Sequence, residues 1–247
     1  MQAGPFQGAR TTPATGSDPH NSRLVIAGAG GALGNEVLRR LVGLRRFRST
    51  QVLAREPIKP ALGGFAVTVV QGESPDAWPI GQADTGVVMF EPPRLFHDRE
   101  RALWTPRPEQ LPALARWLRR SGASTLAVVL PHAQGRLPEA LKRGLASLDE
   151  QAVAALEFDR LLIIRSAQRP VVARPAGVLP ALGRWMLSVF KYMLPSSEQP
   201  VRSAKVAEFV AVALQLAPPG IHIAAPETVW RAGQGDARET IRQWLQL

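Results

Sequence analysis

The 247-residue chain contains no cysteine, which excludes disulfides, thiol nucleophiles and cysteine-bound metals. Its four histidines, His20, His97, His132 and His222, are scattered and lack metal-ligand spacing. There is one tyrosine, Tyr192. No apolar run reaches the roughly 18–20 residues needed to span a bilayer, so no transmembrane segment is expected. Acidic residues are the minority, 20 against 30 basic ones, which gives a net charge of +10. The basic residues are almost all arginine and are spread along the whole chain. No dense basic block alternates with aromatics, so nucleic acid is not an expected partner. Arginine at ordinary surface positions accounts for most of the charge, and an anionic cofactor for a smaller share.

Hydrophobic residues make up 45% of the chain, enough for a real core. Residues 1–22, "MQAGPFQGARTTPATGSDPHNS", are rich in Gly, Pro, Ser and Thr and have no apolar centre. They predict a disordered tail rather than a secretory signal, and with it a cytoplasmic protein. From Arg23 onward, short apolar runs alternate with helix-like stretches. Strands are predicted at Leu24–Ala27, Gln51–Ala54, Ala66–Val70, Gly86–Phe90, Thr125–Leu130 (ended by Pro131), Leu161–Ile164 and Ile221–Ala224. Helices are predicted after the first glycines and over Pro108–Arg120, Glu139–Leu156, Ala204–Ala217 and Glu239–Leu245. Within Glu139–Leu156 the apolar stripe includes Leu141, Leu145, Leu148, Ala152 and Leu156, and Asp149 and Glu150 read as solvated charges. Such alternation predicts an α/β fold, a doubly wound parallel sheet forming a single domain over residues 23–247. The ligand crevice then lies at the carboxyl ends of the strands.

The stretch "LVIAGAGGALGNEVLRRL" carries the strongest chemical signal. Gly28, Gly31 and Gly34 form G-x-x-G-x-x-G between a strand and an amphipathic helix. The stricter G-x-G-x-x-G spacing fails because Leu33 stands where its last glycine would be. The loop still has the parts a pyrophosphate needs: a tight turn, backbone N–H groups with no Cβ in the way, and a helix N-terminus. Arg55 follows the second strand in "QVLAREP". An acid at that place receives the ribose 2′-hydroxyl of NAD, whereas an arginine pairs with the 2′-phosphate of NADP. NADP(H) is therefore the expected cofactor, with NAD(H) the alternative, although the adjacent Glu56 blurs the distinction.

In order and spacing, "LVIAGAGGALGNEVLRRLVG", "VLAREP", "EFDRLLIIRSA" and "PVRSAKVAEFVAVAL" resemble the atypical short-chain dehydrogenase/reductase group, and within it NAD(P)H-binding NmrA-like and sugar-nucleotide-epimerase-like proteins. The resemblance runs from about Arg23 to Ala225. It implies a Rossmann-type domain with a small C-terminal elaboration over the crevice. It also implies that Gly28, Gly31, Gly34 and the backbone of Ala32 and Leu33 contact the pyrophosphate, with Arg55 on the 2′-phosphate. Phe90 and Glu91 would then lie near the cofactor's ribose.

Enzymes of that superfamily use a Tyr-x-x-x-Lys pair, in which the lysine lowers the tyrosine's pKa for proton exchange with the substrate. Here Tyr192 is followed four residues on by Ser196, so the pair is absent from the sequence. On the helix where it belongs, Lys142 falls in the tyrosine slot and Ala146 in the lysine slot. His132, at the end of a central strand, is the remaining acid–base candidate, against a plain loop histidine. The apolar segment Arg184–Leu194, "RWMLSVFKYML", is expected to pack in the core or cover the pocket, or else to dock a second subunit or partner. Two functions stay open: an oxidoreductase or epimerase-like enzyme acting on an unidentified small molecule, and a non-catalytic dinucleotide sensor or interaction module. A nucleic-acid binder would rest on net charge alone.

Overall fold

Strands that are apolar at successive positions must be covered on both faces, and the central strands of this chain are of that kind. The computed structural model describes residues 22–58, 63–91, 98–132, 144–167 and 201–247. In chain order they form β1 (Arg23–Ala27), α1 (Gly31–Gly43), β2 (Ser49–Ala54), β3 (Ala66–Val69), β4 (Thr85–Met89), α2 (Asp98–Ala102), α3 (Leu111–Arg120), β5 (Thr125–His132), α4 (Leu148–Ala154), β6 (Arg160–Ala167), α5 (Ser203–Leu216), β7 (Gly220–Ala224), α6 (Pro226–Gln234) and α7 (Ala237–Leu245). Residues 1–21 of the expected tail, Lys142 and the segment Arg184–Leu194 lie outside the described residues; Ser22, assigned to the tail, is buried and its carbonyl accepts from the Arg48 N–H at 2.9 Å.

The strands make one parallel sheet in the order β3-β2-β1-β4-β5-β6-β7. This is the doubly wound Rossmann-type order with a seventh parallel strand. The period of two sorts each strand between two cores. Leu24 and Ile26 face Val37, Leu38 and Leu41 of α1 and Phe209 and Val210 of α5. Val25 and Ala27 face the opposite layer, with Leu114 and Leu118 of α3 and Val153 of α4. The order reverses between β1 and β4, so the crevice opens above their carboxyl ends.

At the opposite end the same two strands are tied by charge. Asp84 Oδ2 accepts from the Arg23 backbone N–H at 2.7 Å and from its Nε at 3.1 Å. Partial burial opposes ionisation of Asp84, but the hydrogen bonds and charge of Arg23 outweigh it and hold the carboxyl below its usual 3.8. A depressed carboxyl stabilises the fold above its unfolded pKa, and that contribution is lost as pH falls through the folded pKa. Asp84→Asn is therefore expected to lower stability at neutral pH. It should also flatten the fall in stability below about pH 4, as read from urea midpoints across a pH series. Both partners are partly exposed, so the effect will be modest, about 1 kcal/mol or less.

Two local expectations differ from the structure. Pro131 does not end β5, which continues to His132 and keeps its register with β6 through Pro131↔Ser166 and His132↔Ala167. β4 accompanies β5 only as far as Val129. Beyond it no described residue pairs with that side of β5, a setting in which a strand accepts proline. Of the helix expected over Glu139–Leu156, residues 139–143 lie outside the described residues, 144–147 are not helical, and the described helix runs Leu148–Ala154. Ser147 has extended backbone and its hydroxyl accepts from the Glu150 N–H at 3.2 Å, which makes it the N-cap. Leu148, expected on the apolar stripe, is 82% exposed.

Candidate functional site

The chain leaves β1 through Gly28, at φ +77°. A Cβ there would lie 2.7 Å from the carbonyl carbon of Met89, at the end of β4. A Cβ on Gly34 would lie 2.6 Å from the carbonyl carbon of Ala29. These two glycines therefore let the turn and the first turns of α1 close onto the sheet. Gly31 differs: it has φ +72°, and its missing Cβ faces a carboxylate, 2.8 Å from Glu91 Oε2.

That carboxylate answers a local need. α1 starts after Gly30, which has no side chain to cap it, and carries no acid in its own first turn. Its leading N–H groups must find partners elsewhere. The Gly31 N–H donates to Glu100 Oε2 at 3.1 Å, and the Leu33 N–H donates to Glu91 Oε2. Glu100 lies in α2 and is 6% exposed; Glu91 lies two residues past β4 and is half-buried. The positive end of α1 thus holds two carboxylates from distant parts of the chain, an arrangement its dipole favours.

The segment after α2 also closes on this region as a short strap. The Gly28 N–H donates to the Trp104 carbonyl at 3.1 Å, the Trp104 N–H to Leu53 O at 2.9 Å, and the Arg55 N–H to Ala102 O at 2.8 Å. Leu103 makes an antiparallel bridge with Ala54. The strap lies across the carboxyl ends of β1 and β2, with Trp104 1% exposed and edge-on to Trp78 at 4.8 Å. Two buried polar atoms there, Trp104 Nε1 and Thr105 Oγ1, have no hydrogen-bond partner among the described residues. Each such atom costs about 1–3 kcal/mol, so ladder and packing hold the strap against that cost.

The other expected site residues fall around this centre. Ala32 is exposed on the first turn of α1. Phe90 is buried in the same core cluster as Trp104. Arg55, half-exposed at the end of β2, pairs with Glu73 at 3.4 Å, and Glu73 is also 3.9 Å from Arg107. His132 ends β5 opposite Ala167. Sequence reasoning missed Glu100, the strap and a buried ion pair. Glu150 is not solvated: its Oε2 lies 2.7 Å from Arg165, and both side chains are almost wholly buried. Arg165 also donates to Gly144 O at 2.8 Å, and Glu150 accepts from the Ala146 N–H at 2.7 Å. The pair fastens the segment entering α4 to β6, beside Leu130. The one available signal was the S-x-x-E cap motif at Ser147–Glu150.

Among the described residues, no group of His, Asp or Glu is arranged to hold a metal ion, and no helix is long and apolar enough to cross a membrane.

No family model matches the chain, and no curated protein matches it. Solved structures resemble it at low identity. The Bordetella bronchiseptica enzyme WbmF, in complex with NAD+, is 12% identical over 93% of this chain and 80% of its own, with a TM-score of 0.46. MoeE5, in complex with UDP-glucuronic acid and NAD, is 13% identical over 81% and 74%, with a TM-score of 0.45. A Rossmann-fold NAD(P)-binding family protein from Shigella flexneri is 13% identical over 79% and 87%, with a TM-score of 0.41. The fold class itself follows from the strand order and the two helical layers.

Proposed function

We propose that this chain binds a nicotinamide dinucleotide at the glycine turn between β1 and α1, as a member of the atypical short-chain dehydrogenase/reductase group. One observation carries the reading: the Gly31 and Leu33 N–H groups both donate to carboxylate oxygens. Those oxygens stand in for phosphate oxygens, and the turn that presents the donors lies at the switch point of the sheet, where such ligands bind. Gly28, Gly31, Ala32, Leu33 and Gly34 would hold the pyrophosphate, and Phe90 and Glu91 would border the ribose. Arg55 would take the 2′-phosphate, so NADP(H) is favoured over NAD(H). Bound there, the nicotinamide would supply hydride chemistry.

Calorimetric titration of the wild type and Arg55→Ala with NADPH and NADH tests this. NADPH is expected to bind the wild type more tightly, and the substitution to erase about 10- to 100-fold of that preference, the range for a charge-assisted contact to phosphate. Unchanged preference would remove Arg55 from the site, and no binding of either cofactor would sink the reading.

A second reading, binding without turnover, has its own support. The sole tyrosine is followed four residues on by Ser196, and Ala146, in the expected lysine slot, precedes α4 rather than lying on it. His132 is then the acid–base candidate for an enzyme, and NADPH oxidation with carbonyl and quinone panels separates the two readings.

A further inference from the structure

We propose that Glu91 is an internal competitor for the anion site of the glycine turn, so that a dinucleotide binds only by expelling its side chain. The ligand rests on the reading above; the competition rests on the geometry of the turn alone. Glu91 Oε2 already takes the Leu33 N–H, a donor that a pyrophosphate oxygen needs. Its Cγ and Cδ both lie 2.9 Å from where a Gly31 Cβ would be. The side chain therefore lies along the bare face of the turn, where a phosphate must approach the backbone. A phosphate oxygen bonded to Leu33 would stand within about 3 Å of the same nitrogen and so overlap the carboxylate. It would also meet like charge in a low-dielectric crevice.

The two carboxylates play different parts. Glu100 is deeply buried on α2, ahead of the strap, and its bond to Gly31 caps the helix. Glu91 is only half-buried and lies two residues beyond the last residue of β4, outside the sheet ladder. The Leu33 N–H therefore already serves a resident anion, Glu91, and the incoming one must replace it. The consequence is a weak apparent affinity for dinucleotides, set by the difference between two anions competing for the Leu33 N–H.

The test compares wild type, Glu91→Ala and the near-isosteric Glu91→Gln by calorimetry and thermal shift, with inorganic pyrophosphate and NADH as probes. Glu91→Ala is expected to bind both at least tenfold more tightly than wild type. Its melting temperature should fall without ligand and recover with pyrophosphate, which leaves the wild type unmoved. Glu91→Gln should gain less, since its amide oxygen still reaches the Leu33 N–H without the negative charge. If neither variant gains affinity for pyrophosphate, the proposal is overturned. A gain for pyrophosphate with no NADH binding to any of the three proteins upholds the competitor and rejects the dinucleotide reading. If Glu91→Ala does not fold, the smaller gain of Glu91→Gln decides.

Discussion

Arg165→Met is expected to cost about 3–5 kcal/mol of stability, a large share of what a domain of this size possesses. The guanidinium and the Glu150 carboxylate are 2% and 7% exposed, and 2.7 Å apart. Removing one partner leaves the other charge buried without its counter-ion, which is what makes such pairs costly to break. The damage extends beyond the pair, because Arg165 also satisfies the Gly144 carbonyl and Glu150 the Ala146 N–H. Replacing both residues with apolar ones of similar volume should recover much of the loss, since an apolar pair carries no desolvation penalty. Urea denaturation of the two variants measures both numbers. A loss below about 1 kcal/mol for Arg165→Met would mean that the buried pair does not form in the folded protein.

Gly28→Ala is the second large effect, expected at about 2–5 kcal/mol from left-handed backbone strain plus overpacking. The strain follows from φ +77°, and the overpacking from a new methyl 2.7 Å from the Met89 carbonyl carbon and 3.3 Å from its Cα. Both neighbours are backbone at the end of a fully buried strand, so they cannot swing aside as a flexible side chain would. Gly43→Ala, at the end of the same helix with nothing near its Cβ position, is the control. It should be neutral or gain up to about 1 kcal/mol from helix propensity. Equal losses at the two positions would show that Gly28 is not held by the close approach of β1 to β4.

The sheet was legible because its signals are local. "LVIA", "GVVM" and "LLII" are short apolar runs, and helix spacing between such runs marks a parallel sheet without any long-range knowledge. The glycine spacing was legible for the same reason. What sits on the glycines was not. Glu91 reaches Leu33 across 58 positions, and Glu100 reaches Gly31 across 69, and no periodicity relates such pairs. The strap was hidden because α2 is five residues long and reads "DRERA", with no apolar face to announce it. α6 was missed between a strand and a helix, although Pro226 at its first position is a start signal. In α4 the apolar spacing outvoted a cap: Leu145 extended the stripe on paper, and Ser147 caps the helix two residues later. Glu150 read as solvated because its partner comes from the next strand.

Three packed tryptophans have a use of their own. Trp104 stands edge-on to Trp78, which stands edge-on to Trp117 at 5.4 Å. Of the three, Trp104 belongs to the strap across β1 and β2. Its indole sits in an apolar, water-free setting beside other indoles, a place where emission is blue-shifted and readily quenched. Any unfolding of the strap would carry this one chromophore into water and separate it from its neighbours. An optical reporter is thus built into the strap, and the emission of Trp104 reads whether the strap stays packed across β1 and β2.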